Sequence, residues 1–167
     1  MSKTKEIVLI GLLTAILYTQ EQLLTFLPNI QLTVFFIILY SKVLGLNKTI
    51  LIIFIHVLLD NFFMGSFNLI YVPFMFIGWS LIPILLNSIF SKVNDSTHLA
   101  CLSILFSLLY SWIYIIPNSI YYNLDPFVYF ISDIPFEIIL CISSFITTLW
   151  LYLPCIKVLK QLTKNPV

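Results

Sequence analysis

Apolar residues fill this chain in long runs, and the polar breaks between them are only a few residues wide. That pattern leaves few folds open. A run of about 20 apolar residues spans a bilayer when it is helical, because a helix satisfies its own backbone hydrogen bonds. Of the 167 residues, 60% are hydrophobic and 9% are charged, whereas soluble domains carry about 25% charged residues. An all-α integral membrane protein of one domain is expected, with no room for a soluble enzymatic domain.

Six spans are expected, at about 6–27, 31–45, 48–64, 69–90, 97–117 and 126–153. The first stops at Pro28-Asn29, the short second at Gly45, the third at Gly65-Ser66 and the fifth at Pro117-Asn118. Pro73, Pro83 and Pro135 read as bends, because neighbouring helices re-satisfy the freed backbone groups. Pro154 marks the end of the sixth span, and an amphipathic tail follows through Lys157, Lys160 and Lys164. Lys3 and Lys5 precede an apolar run too long for a signal peptide, so the run reads as a retained first helix. A five-span count would fuse or drop the short second segment.

The basic residues decide between the counts. All eight are lysines. With six spans they fall before the first (Lys3, Lys5), between the second and third (Lys42, Lys48), between the fourth and fifth (Lys92), and after the sixth. All then lie on one side, which the positive-inside rule makes the cytoplasm, with both termini there. Five spans would divide them between two faces.

The acids distribute differently. Glu6 and Asp95 share the lysine side, while Glu21, Asp60, Asp125, Asp133 and Glu137 fall in the opposite half. Asp133 and Glu137 are spaced i, i+4 and share one helix face. Asp125 precedes Pro126 and is expected to N-cap the sixth helix. The same half collects Gln20, Gln22, Asn29, Gln31, Asn61 and Asn68, and further along the chain Tyr71, Trp112, Tyr114, Asn118 and Tyr122. Ionisable residues at membrane depth usually face a bundle interior or a water-filled cavity. An outward-facing cavity is therefore expected, with Glu21, Asn29, Asp60, Tyr71, Trp112, Asn118, Tyr122, Asp133 and Glu137 as candidate substrate-binding residues. Three consecutive polar residues cannot all point inward, so at most two of Gln20, Glu21 and Gln22 line it. Asp60 competes with a loop-capping role, and the aromatics with an interfacial belt. His56 lies one turn before Asp60 and is expected to bond a neighbouring helix.

No catalytic constellation appears. G-x-S-x-G, H-E-x-x-H and P-loop patterns are absent, and His56 and His98 fall at different depths. No enzyme activity, cofactor, metal or nucleic-acid partner is expected. Cys101, Cys141 and Cys155 are scattered without C-x-x-C spacing and read as buried structural thiols. Gly11 and Ala15 form a small-xxx-small pair that lets another helix approach closely.

The span count, the two cytoplasmic termini, the Lys-rich opening into Gly11-LLT-Ala15, and Phe26-LPNIQL-Thr33 running into a short helix ending at Leu44-Gly45 together form a familiar pattern. The chain resembles the substrate-binding S components of energy-coupling factor (ECF) vitamin transporters over nearly its full length. The resemblance implies a vitamin-binding cavity closed by the loop after the first helix, here Pro28-Asn29-Ile30. It implies that Gly11 and Ala15 dock on a membrane coupling subunit driven by two ATPases. Gly11 stands where that family usually has Ala. Carboxylates unaccompanied by Lys or Arg disfavour an anionic vitamin, since a close like-charge contact costs on the order of 4 kcal/mol at an effective dielectric near 20. A neutral or cationic ligand is expected. Two alternatives stand beside this one: a membrane scaffold resembling the rod-shape-determining MreD family, on Leu59-Asp60 and Met64-Gly65, and a small channel or proton-coupled carrier using His56 and Asp60.

Overall fold

The computed structural model describes residues 3–63 and 69–164. Among them every regular element is a helix: α1 (Lys3–Leu24), α2 (Thr33–Leu44), α3 (Leu46–Phe63), α4 (Tyr71–Asn87), α5 (Ser96–Tyr122) and α6 (Pro126–Lys164). Four of them, α1, α3, α5 and α6, are long and apolar enough to cross a membrane, while α2 and α4 are shorter apolar helices.

The core is aliphatic and aromatic, with Leu17, Ile38, Ile52, Ile53 and Trp79 fully buried. The outer surface is equally apolar. Ile7, Leu23, Phe62 and Trp150 are each about two-thirds exposed or more, and a water-soluble bundle does not present such a perimeter.

α5 and α6 form the most extensively packed pair. Ser103, Ser107 and Ser111 recur every four residues on α5, so they share a face, and their small size lets α6 approach closely. Ser107 Oγ donates to Ser144 Oγ at 2.8 Å, and Ser96 Oγ donates to the Leu149 carbonyl at 3.0 Å. Elsewhere Tyr40 Oη donates to the Leu13 carbonyl, tying α2 to α1, and Asn87 Nδ2 donates to Ser41 Oγ, tying α4 to α2.

At the lysine-bearing end the helix connections are tight. Gly45 alone links α2 to α3, at φ 78, a left-handed conformation that glycine adopts without a Cβ penalty. Lys48 Nζ lies 2.9 Å from Glu6 Oε1, and Lys42 Nζ donates to the carbonyls of Phe90 and Ser91. Asp95 caps α5 by accepting from the Thr97 and His98 backbone amides, and its Oδ2 lies 3.0 Å from His98 Nδ1. The His98 amide, and then its ring, hold the Asp95 carboxyl below the usual carboxylate range. A lowered folded-state value contributes stability above the unfolded-state value, which is lost as pH falls through the folded one. The thermal midpoints of wild type and Asp95→Ala should therefore differ at pH 7 and converge as pH is lowered below about 4.

Several boundaries differ from those read in the sequence. The second helix begins at Thr33, because residues 25–32 form an irregular loop, and α4 covers 71–87. The end of the third span at Gly65-Ser66 lies outside the described residues. Pro117 does not stop the fifth helix, which runs five residues further to Tyr122. Proline removes one backbone donor, and a packed helix tolerates that loss. The stop comes at Asn123, at φ 52. α6 likewise passes through Pro135 and Pro154, so the lysine-bearing tail is continuous with the span before it. Asp125 Oδ1 accepts from the Phe127 and Val128 amides, capping α6 with Pro126 in its first turn. The expectation of buried thiols fails: Cys101 is exposed and the other two are half-buried, because an apolar residue in this chain can face outward as readily as inward.

Candidate functional site

The end of the bundle remote from the lysines holds a recess of about 390 Å³, within the range of small-molecule sites. The loop Thr25–Gln31, including Pro28 and Asn29, forms one side. Glu21 and Leu24 of α1 and Tyr110, Ser111 and Tyr114 of α5 form the second, and Tyr129, Asp133 and Leu140 of α6 close it. Two carboxylates and three phenol rings face the space, and none of these lining residues is cationic.

Each wall is held by its own contacts. The three consecutive polar residues of α1 divide their tasks, as helical geometry requires. Gln20 Nε2 donates to Thr33 Oγ1 at 2.8 Å, and Gln20 Oε1 accepts from the Leu32 amide at 2.9 Å, fastening the returning chain. Glu21 turns to the recess, while Gln22 Nε2 is buried without a hydrogen-bond partner among the described residues. Asn29 sits at φ 58, which asparagine tolerates better than most residues. The far end of the loop is clipped to α6, where Ser143 Oγ donates to the Gln31 carbonyl and lies 3.3 Å from the Gln31 amide.

On the α6 side, Ser111 Oγ lies 2.9 Å from both Asp133 Oδ2 and Glu137 Oε1. A hydroxyl carries one proton, so Ser111 donates to one carboxyl at a time. Asp133 reaches the recess and Glu137 is buried behind it.

The aromatic wall is a column. Trp79 stacks on Tyr110 with centroids 3.6 Å apart and planes 16° from parallel. Tyr110 meets Tyr114 at 4.9 Å, and Tyr114 meets Tyr71 at 5.9 Å. Flat faces of this kind attract cations and stack on planar rings.

Of the candidates read in the sequence, Glu21, Asn29 and Asp133 lie on the recess wall, and Glu137 is joined to it through Ser111. Asp60 is not on the recess wall; it lies one turn beyond His56 on α3, with Oδ1 buried and unpartnered among the described residues. Tyr71 Oη donates to Asn118 Oδ1 at 2.8 Å, and Asn118 Nδ2 donates to the Tyr114 carbonyl, so both brace the wall from outside. Trp112 and Tyr122 are exposed on the perimeter, 47% and 59% respectively, away from the recess. The sequence reading passed over Tyr110, Ser111 and Tyr129. The four-residue spacing of Tyr110 with Tyr114, and of Ser107 with Ser111, was the available signal. It puts Ser111 inward and Trp112, about 100° further round the helix, outward.

Gly11 and Ala15 are both exposed on α1, and a Cβ added at Gly11 would meet nothing within 4 Å. Among the described residues the pair therefore faces outward from the bundle. Compared with protein-family models, with curated proteins and with solved structures, the chain matches none.

Proposed function

We propose that this chain is the substrate-binding subunit of an ATP-driven micronutrient uptake transporter of the cell membrane, similar to ECF S components. In this reading α2 and α4 also span, giving six crossings with both termini in the cytoplasm, and the recess opens outward. The observation that carries the reading is the recess itself: carboxylates and phenol rings around a ligand-sized space, at the end opposite the lysines. The ligand is a neutral or cationic vitamin-like molecule with a flat ring. Glu21 and Asp133 attract its positive or hydrogen-bond-donating edge, and Tyr110 and Tyr114 stack its face. The loop from Thr25 to Gln31 covers it.

Gly11 and Ala15 form the docking strip for a membrane coupling subunit that binds two cytoplasmic ATPases. Their outward placement leaves room for a second helix at close range.

Purification from its native membrane followed by native mass spectrometry tests the reading. The expected result is a small molecule retained by the wild type and lost from Glu21→Gln/Asp133→Asn, with affinity reduced at least about tenfold for two lost charge-assisted hydrogen bonds. A coupling subunit and ATPases should copurify, and Gly11→Leu/Ala15→Leu should abolish that association without releasing the ligand. A chain that carries no small molecule and no ATPase partner would overturn the reading.

A further inference from the structure

We propose that Glu21, His56 and Asp60 form a buried proton-binding site that opens to the recess through Glu21. His56 of α3 is completely buried, and its Nε2 lies 3.1 Å from Glu21 Oε2 of α1. The two atoms are within ion-pair reach but not aligned as a hydrogen bond, and His56 Nδ1 has no hydrogen-bond partner among the described residues. Asp60 lies one helical turn from His56, with Oδ1 equally buried and unpartnered. Buried polar atoms are nearly always hydrogen-bonded, so several exceptions meeting at one place call for a cause.

Charge accounting supplies it. Glu21 Oε2 and Asp60 Oδ1 are both buried, and an uncompensated charge on a buried oxygen is costly. The lysines are at the other end of the bundle: Lys48 pairs with Glu6, and Lys42 bonds the Phe90 carbonyl. Among the described residues, a proton on His56 is the one positive charge within ion-pair reach of Glu21. Protonation also turns both ring nitrogens into donors, so Nε2 can serve Glu21. The three side chains do not form a group able to hold a metal ion.

Among the described residues the surroundings add no competing cation. From α5, the phenols of Tyr110 and Tyr114 are within electrostatic reach of Glu21 and Asp60. On α1, Tyr18 packs on Phe63. The titratable side chain of α4, Tyr71, is held by Asn118, and Tyr40 of α2 is held by the Leu13 carbonyl. On α6, Asp133 and Glu137 are gathered on Ser111. Glu21 is the member of the trio that lines the recess, so a proton enters from recess water onto the Glu21 carboxylate, passes to His56 Nε2, and leaves by the same route. A cation drawn to Glu21 from the recess would draw on the same carboxylate.

The chain has two histidines, and the other, His98, is exposed, which makes a ligand-free test direct. The full-length protein in lipid nanodiscs, labelled with ring ¹⁵N-histidine, is titrated by NMR from pH 5 to 8, with His98→Gln identifying the His56 signals. The expected result is reversible proton uptake by His56 in the wild type. In Glu21→Gln its proton affinity should fall at least about tenfold, the effect of removing an adjacent charge, and Asp60→Asn should shift it in the same direction. A His56 ring that keeps one neutral form from pH 5 to 8 in the wild type overturns the proposal, as does a titration indifferent to both substitutions. If neither variant folds, the wild-type titration decides. The readout uses no ligand, so its outcome is separate from that of the transport reading.

Discussion

Gly78→Ala is expected to lower the thermal midpoint of the purified protein and to separate Trp79 from Tyr110. Local propensity says the opposite. Alanine in the middle of a helix is favoured over glycine by roughly 0.5–1 kcal/mol. At this position the new methyl would sit 2.8 Å from Tyr110 Cδ2 and 3.3 Å from Cε2. The ring cannot simply move aside, because it is stacked on the fully buried Trp79 and packed against Tyr114. Overpacking of this kind costs about 1–3 kcal/mol, which exceeds the propensity gain. Thermal unfolding in detergent reads the stability, and tryptophan emission reads the stack. A raised midpoint with unchanged emission would show that the aromatic column yields easily. Because Tyr110 also lines the recess, ligand retention should fall with the stack.

Ser111→Ala is expected to destabilise the bundle by about 1–3 kcal/mol, the cost of leaving a buried acceptor without its donor. Both Asp133 and Glu137 lie 2.9 Å from that hydroxyl, and Glu137 is only 6% exposed. Without the hydroxyl the two carboxyl groups face each other across a small void. Adding Glu137→Gln to Ser111→Ala should recover part of the loss, since an amide donates to Asp133 and removes the like-charge contact. Adding Trp112→Phe, on the neighbouring outward face, should recover none. Midpoints of the singles and doubles give the coupling directly. Strict additivity between Ser111→Ala and Glu137→Gln would mean that the serine does not mediate between the acids.

What could be read from the sequence follows from what each signal measures. Apolar runs and lysine placement report on solvent, and they set the helices and the end-to-end asymmetry. Glu21, Asn29 and Asp133 were found by depth alone, because depth follows from counting residues along a helix. Rotation about the helix axis did not follow from depth. Trp112 shares the level of Ser111 and Tyr114, and Tyr122 lies in the same half of the bundle, yet both face outward, and in a helix with apolar surroundings on all sides hydropathy marks no inner face. The outcome at Cys101 has the same origin. Proline was misleading in a different way: Pro117 and Pro154 look like stops, but in this fold the lost donor is a local defect; α5 ends at Asn123, with its left-handed backbone, and α6 runs on past Pro154. The 3.1 Å approach of His56 to Glu21 joins residues 35 positions apart in the chain and needed the packing of α1 against α3 to appear.

One dimension of the molecule sets how its two ends are connected. α6 is a continuous helix of 39 residues, about 58 Å at 1.5 Å per residue, against a hydrocarbon slab of about 30 Å. Nearly half its length must project beyond the slab, tilt within it, or do both. Its first turns carry the recess wall and its last turns carry the lysines, and Tyr152 and Leu159 anchor the lysine-bearing part in the core, so a single helix joins the two ends of the bundle.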